Sequence, residues 1–195
     1  MKKSTKITRL LLIVGIILIG AAVLMTVLPM ISEKTAVAKN KEIISEIYSI
    51  IPEVSAGTVD DRVDMDMPSL EIDGEDFVAI LGVPKFGVEL PVYGEWDKSK
   101  VSRFPCRYTG SIYDKSLIIG GSDAKGQLDF SKIVSIGDSV FVTDMTGKRY
   151  SYTVTWVQST DDVSSDALMG MEADLLLFTK NSGSLDYTVI TCMRK

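Results

Sequence analysis

The chain has 195 residues, with 21 Lys and Arg against 26 Asp and Glu, a formal net charge of −5, two cysteines and no histidine. The acidic balance argues against a nucleic-acid partner, which would need clustered Lys and Arg to displace counterions. The missing histidine excludes every Ser–His, Cys–His and His–metal arrangement, and two cysteines cannot build a four-thiolate metal site. No metal or cofactor is expected.

The charge is unevenly spread. Residues 1–9 carry Lys2, Lys3, Lys6 and Arg9 and no acid, which reads as a basic cytoplasmic tail. Residues 10–31 (LLLIVGIILIGAAVLMTVLPMI) carry no charge at all. As a helix they would extend ~33 Å, enough for the hydrocarbon core of a bilayer. The basic flank predicts a cytoplasmic N-terminus and an exported remainder. The run ends without the small-residue site of a cleaved signal peptide, so it reads as an uncleaved signal anchor and a single-pass membrane protein.

Residues 32–52 follow as a juxtamembrane helix. Val37, Ile44, Ile47, Tyr48 and Ile51 fall on one helical face, predicted to rest on the domain or on a second copy, and Pro52 ends it. Residues 53–76 hold nine acids against Arg62 alone, with Gly57, Pro68 and Gly74 among them. This stretch predicts a solvated acidic linker. Asp64 and Glu75 have the separation of the outer ligands of a calcium loop. Pro68 and Ser69, however, stand where a ligand and the turning glycine belong, so calcium binding is not expected.

From residue 77 onward, short runs rich in Val, Ile, Phe and Tyr alternate with Gly, Pro and Asp, the pattern of strands and turns. The candidate strands are 77–83, 87–93, 116–120, 139–144, 149–158, 174–180 and 186–193, with a hairpin turn at DMTGKR (144–149). LDFSKIVSI (128–136) has helical spacing at Leu128, Ile133 and Ile136. Seven or eight strands with one or two short helices predict a mostly-β, closed barrel over 77–195.

Four segments resemble the sortase family, the membrane-anchored cysteine transpeptidases of Gram-positive bacteria, and are most similar to its short clostridial type. FVAILGVPKFGVELPVYGEW resembles the family's opening strands. CRYTGSIYDKSLIIGG resembles the strand leading to the catalytic histidine. LDFSKIVSIGDSVFVTDMTGKRYSYTV resembles the helix, Gly-Asp turn and long hairpin that follow. DLLLFTKNSGSLDYTVITC resembles the two last strands, which carry the catalytic cysteine and arginine. The resemblance implies a sortase-like barrel on the cell surface. It also implies that the histidine, cysteine and arginine positions hold Gly121, Lys180 and Tyr187, so that no catalytic residues are expected.

If Tyr187 faces the groove, strand alternation turns Cys192 away from it, and Cys106 lies ahead of the implied site. The two cysteines of an exported domain leave open a Cys106–Cys192 disulfide or two free thiols. Lys180 reads as a solvated lysine paired with an acid such as Asp123, or as a desolvated nucleophile or base. Candidate groove residues are Asp123, Thr179, Val189, Leu168 and Met169. The last two belong to an apolar set in the loop 159–173 that reads as a short helix or as a lip facing a peptide.

The resemblance thus implies a surface module without transpeptidase chemistry. It would bind a peptide like a sorting signal, or assist an active sortase or a pilin in surface-protein or pilus assembly. Two alternatives are an active transpeptidase or hydrolase using other residues, and a structural tether.

Overall fold

The computed structural model describes the backbone of residues 2–57 and 66–195, and their side chains apart from 2–12 and 24–35. The chain forms two compact units, residues 1–36 and 37–195. A single helix, α1 (Lys2–Ile50), supplies all of the first unit's described structure and opens the second. Ile13, Ile16, Ile17, Leu18 and Ile19 are exposed on it. Among the described residues no helix is long and apolar enough to cross a membrane. The side chains of 10–12 and 24–31 in the expected span lie outside the description, as do those of the expected cytoplasmic tail 1–9, and Asp64 of the calcium-loop spacing lies outside the described residues altogether.

The second unit is a β-barrel. Its strands are β1 (Ser55–Ala56), β2 (Leu70–Ile72), β3 (Glu75–Val83), β4 (Val88–Tyr93), β5 (Cys106–Thr109), β6 (Leu117–Ser122), β7 (Ser139–Asp144), β8 (Lys148–Thr160), β9 (Leu175–Lys180) and β10 (Tyr187–Arg194). Pairing runs β8–β10–β9–β6–β5–β4–β3, and β7 joins β3 back to β8. Eight strands therefore close the circuit, with β1 added at β8 and β2 at β3. Closure removes the exposed sheet edges that a strand-rich chain would otherwise present.

Alternation along the strands fills the interior. Tyr150, Tyr152 and Val154 of β8 point inward with Leu81 and Val83 of β3, Val140 and Val142 of β7, and Leu117 and Ile119 of β6. β6 and β9 run parallel, and their sequences LII and LLLF are buried on both faces, as such a pair requires. Their outer face is covered by a short helix, α2 (Ser165–Met169), through Leu168, which packs with Ile118, Leu176, Phe178 and Val189.

The apolar face predicted for the helix of residues 32–52 lies against the barrel. Ile43, Ile44, Ile47 and Ile51 are buried with Ile72, Phe77, Ile80 and Phe104 on the outside of β3. The helix ends where Ile51 N–H donates to the Ile47 carbonyl, just before Pro52.

Two sequence expectations are corrected, and one strand completes the expected seven or eight. The stretch 53–76 is not wholly a solvated linker. β1 and β2 lie within it, Met67 and Ile72 are buried, and Asp73 and Gly74, both at positive φ, make the two-residue turn into β3. Leu70 and Ile72 escape notice because two apolar residues among acids give too short a pattern. LDFSKIVSI contains one turn of 3-10 helix at Asp129–Lys132. It buries Leu128 and Phe130 but leaves Ile133 and Ile136 exposed, so it has no single apolar face. β5 is a further strand, only four residues long, that closes the circuit between β4 and β6.

Candidate functional site

Three strand ends define the site. On β9, Leu175 and Leu177 point into the barrel while Leu176 and Phe178 point out, so Thr179 turns inward and Lys180 outward. On β10, Ile190 and Cys192 lie in the inner core while Tyr187 and Val189 belong to the outer cluster. The register sets Lys180 between Ser122 of β6 and Tyr187 of β10. On β6, Ile118 and Gly120 face outward and Ile119 and Gly121 inward.

A cavity of about 250 Å³ lies on this outer surface, lined by Trp96, Val101, Tyr108, Gly121, Val163, Phe178, Lys180 and Tyr187. Its wall is an aromatic triad. Trp96 lies edge-on to Tyr108 at 5.2 Å, Tyr108 edge-on to Phe178 at 5.4 Å, and Trp96 tilted on Phe178 at 5.5 Å between ring centroids. The triad needs Gly120, where any Cβ would collide with the rings of Phe178 and Trp96. Lys180 is exposed, the only charged side chain lining the cavity, and in no ion pair among the described residues.

The rim is fixed by Asp123, which is buried just after β6. Its carboxylate accepts the Ser182 backbone N–H at 2.8 Å and the Ser182 hydroxyl, and pairs with the Lys132 ammonium at 3.0 Å. Burial pushes this carboxyl up, but the hydrogen bonds from Ser182 and the charge of Lys132 outweigh it and hold the group below its ordinary value. Lys180 is not its partner, so the expected Asp123–Lys180 pair is replaced by Asp123–Lys132.

The three implied catalytic positions all line the cavity, yet not alike. Lys180 and Tyr187 present side chains, whereas Gly121 contributes only backbone. A Cβ at Gly121 would point to Leu128, at 2.8 Å, and Ser122 is the residue sharing the outward parity of Gly120. Among the expected groove residues, Thr179 faces the interior by the same alternation and Val189 is buried under the outer cluster. Leu168 is buried beneath α2. Met169 is exposed and lines a separate hollow of about 280 Å³ with Lys115, Leu168 and Leu176. The apolar set of the loop is thus a short helix covering β6 and β9. Trp96, Tyr108, Val101 and Val163 are unforeseen contributors. Tyr108 was within reach of strand periodicity once β5 is recognised, but nothing in the sequence carries the loop residues Trp96 and Val101 across to β9.

Both thiols are free and buried. Cys192 belongs to the inner core, where burial pushes it up to about 12. Burial likewise pushes Cys106 up to about 11, and its thiol donates to the Phe104 carbonyl at 3.4 Å. A disulfide between them is not formed, for a reason in the register. Cys106 pairs with Gly120 on β6, while Cys192 lies level with Leu175 and Leu117 on β9 and β6. The two cysteines are three strands and three residues apart, well beyond the ~4.4–6.8 Å Cα separation a disulfide spans. Among the described residues no group of three acidic or cysteine side chains is placed to hold a metal ion. Glu75 instead accepts from Lys100 at 2.6 Å.

The architecture is that of the sortases. Sortase A of Listeria monocytogenes superposes with a TM-score of 0.52 at 17% identity, over 61% of this chain and 87% of that one. Sortase C1 of Streptococcus agalactiae gives 0.55 at 17% identity, over 65% and 71%. Sortase C-3 of Streptococcus pneumoniae gives 0.54 at 12% identity, over 84% and 81%. These likenesses establish a sortase-like fold. No protein-family model matches the sequence, and no curated protein matches it.

Proposed function

We propose that this chain is a surface-exposed, sortase-like module that holds an extended peptide segment of a surface protein or pilin, or assists an active sortase, without catalysing transpeptidation. The observation that carries the reading is the lining of the cavity at the ends of β6, β9 and β10: aromatic walls, one lysine, and neither a thiol nor an imidazole. A thioester exchange needs a thiolate to attack and a base to move protons. Here each thiol is buried, outside the cavity lining, and held protonated by desolvation. The scaffold that would present a peptide remains intact. The test is a sorting-signal peptide library with quenched fluorophores, incubated with the full-length chain and measured for both binding and cleavage. Binding without turnover is expected. Turnover abolished by thiol alkylation would reverse the reading.

Anchoring by residues 10–31, with the N-terminus in the cytoplasm and the barrel outside, is part of the proposal. It is supported by the uncharged run itself and by the apolar side chains exposed along residues 13–23, among them Ile16, Ile17 and Ile19 at 62–68%. Protease added to intact cells should remove the barrel and leave a membrane-bound stub. Full protection of the barrel would refute the orientation.

A further inference from the structure

We propose that the cavity at the ends of β6, β9 and β10 selects a carboxylate adjoining an apolar side chain. That is the chemistry of a peptide's free C-terminal residue, or of an acidic residue following an apolar one. The proposal rests on the peptide-binding reading above and names the ligand which that site takes.

The lining sets the chemistry. Seven of its eight residues are uncharged, and the eighth, Lys180, carries an ammonium with no carboxylate partner among the described residues. Asp186, next to Tyr187, makes no ion pair with Lys180, and two acids of the adjoining loops are committed elsewhere. Asp123 is held by Lys132 and Ser182, and Asp162 accepts the backbone N–H of Ser164 in its own loop at 2.9 Å. The site therefore offers one positive charge at its mouth and asks for one negative charge.

The walls set the rest. Trp96, Tyr108 and Phe178 pack on each other at 5.2–5.5 Å, so the apolar surface is already formed. About 250 Å³ is below the usual range of sites for whole small molecules, roughly 300 Å³ and above, and suits one large side chain. A ligand whose apolar side chain rests against the wall made by Trp96 and Phe178 brings the next group on its chain to Lys180. A carboxylate there makes a charge-assisted hydrogen bond beside a surface from which the ligand has displaced water. A cation would suit the aromatic faces but meets Lys180 as a like charge. A neutral amide would leave the ammonium without a counter-charge.

The experiment uses the full-length chain in detergent and calorimetry with four peptides. They are acetyl-Ala-Ala-Leu with a free carboxylate, the same peptide amidated, acetyl-Ala-Leu-Asp-Ala-amide, and its Asn counterpart. The acid of at least one pair should bind about tenfold tighter than its neutral twin, the scale of a single charge-assisted contact. The gap should narrow as salt is raised and vanish in Lys180→Gln while surviving in Lys180→Arg. Trp96→Ala should weaken acid and amide alike. The free-carboxylate and aspartate pairs distinguish the two sources. Equal binding of acids and their neutral twins overturns this proposal and leaves the peptide-binding reading standing. Failure of these peptides and of sorting-signal peptides alike overturns both.

Discussion

Asp123 and Ser182 lie 59 residues apart and are joined by two hydrogen bonds, the Ser182 N–H and hydroxyl both donating to one buried carboxylate. The contact ties the loop after β6 to the turn between β9 and β10, and so fixes the rim on which Lys180 and Tyr187 stand. Replacing Asp123 by Ala leaves the Ser182 N–H without its acceptor. A loss of about 1.5–3 kcal/mol is expected, the range for hydrogen bonds to a charged group. Denaturant unfolding measures it. A loss under about 0.5 kcal/mol would show that the two loops are held together by other contacts.

The same carboxylate makes part of the stability acid-sensitive. Its folded-state value is held below the ordinary ~3.9 by Ser182 and Lys132, so in that window the unfolded chain binds more protons than the folded one. The contribution is complete above about pH 4 and is lost as pH falls through the depressed folded value. Asp97, Asp138 and Asp162 are lowered in the same direction, so the raw acid transition is shared. The difference between the wild type and Asp123→Asn isolates this group. That difference should be present at pH 6 and shrink as pH falls through the depressed folded value; a gap that stays constant with pH would assign it to shape and not to charge.

The thiols give an alkaline counterpart. Burial raises Cys106 to about 11 and Cys192 to about 12, so both are held protonated in the fold. Their contribution is intact below the unfolded thiol value of ~8.5 and is lost as pH climbs from there toward 11 and 12. Neither thiol should therefore be alkylated by iodoacetamide at pH 7.5 in the native chain, and both should be in denaturant. Mass spectrometry reads the result directly. Rapid native modification of Cys192 would mean that β10 opens, and it would reinstate that thiol as a chemical candidate.

How much of this was legible in the sequence depends on the distance over which each feature is encoded. Strands with a strong period of two, such as β8 with Tyr150, Tyr152 and Val154 facing inward, are written locally and are found within a residue or two of their ends. The same period correctly separates Tyr187 from Cys192, and applied one strand over it sends Thr179 inward. β5 and β2 are too short to carry a pattern and exist because neighbouring strands offer them unpaired backbone. The cavity is the least local feature of all. Trp96 reaches Phe178 from a loop 82 positions earlier in the chain, over a glycine whose only signal is the absence of a side chain.

The end of α1 is part of the domain's core. Ile47 is fully buried among Ile43, Ile72, Phe77 and Phe104, and Phe77 is itself held edge-on by Phe104 at 5.2 Å between centroids. Ile47→Ala should cost about 2–5 kcal/mol, since a truncated side chain in such a setting loses both transfer energy and packing. Ile50, exposed three residues later, is the control and should change stability by less than about 0.5 kcal/mol when cut to Ala. Equal effects at the two positions would mean that this turn of the helix does not rest on β3.

Gly120 is where sequence, packing and site meet most tightly. It lies on β6 between Ile119 and Gly121, and the space a Cβ would fill is taken by Phe178 and Trp96. Both are rings braced by Tyr108, so they cannot yield as the tip of a flexible chain would. Gly120→Ala should therefore push Trp96 out of the triad, at a cost of about 1–3 kcal/mol, the usual range for overpacking. The displacement has its own readout. Trp156, the other tryptophan, is already 57% exposed, so a Trp156→Phe background leaves Trp96 as the sole indole emitter. Its emission should move to the red when Gly120 becomes Ala, and near-ultraviolet circular dichroism from the triad should weaken. Gly183, in the turn after β9, has no neighbour where a Cβ would go but sits at φ 80. Gly183→Ala should destabilise through backbone strain while leaving the Trp96 emission unmoved. If Gly120→Ala leaves both stability and emission as they were, Trp96 does not lie over β6, and the aromatic wall of the cavity goes with it.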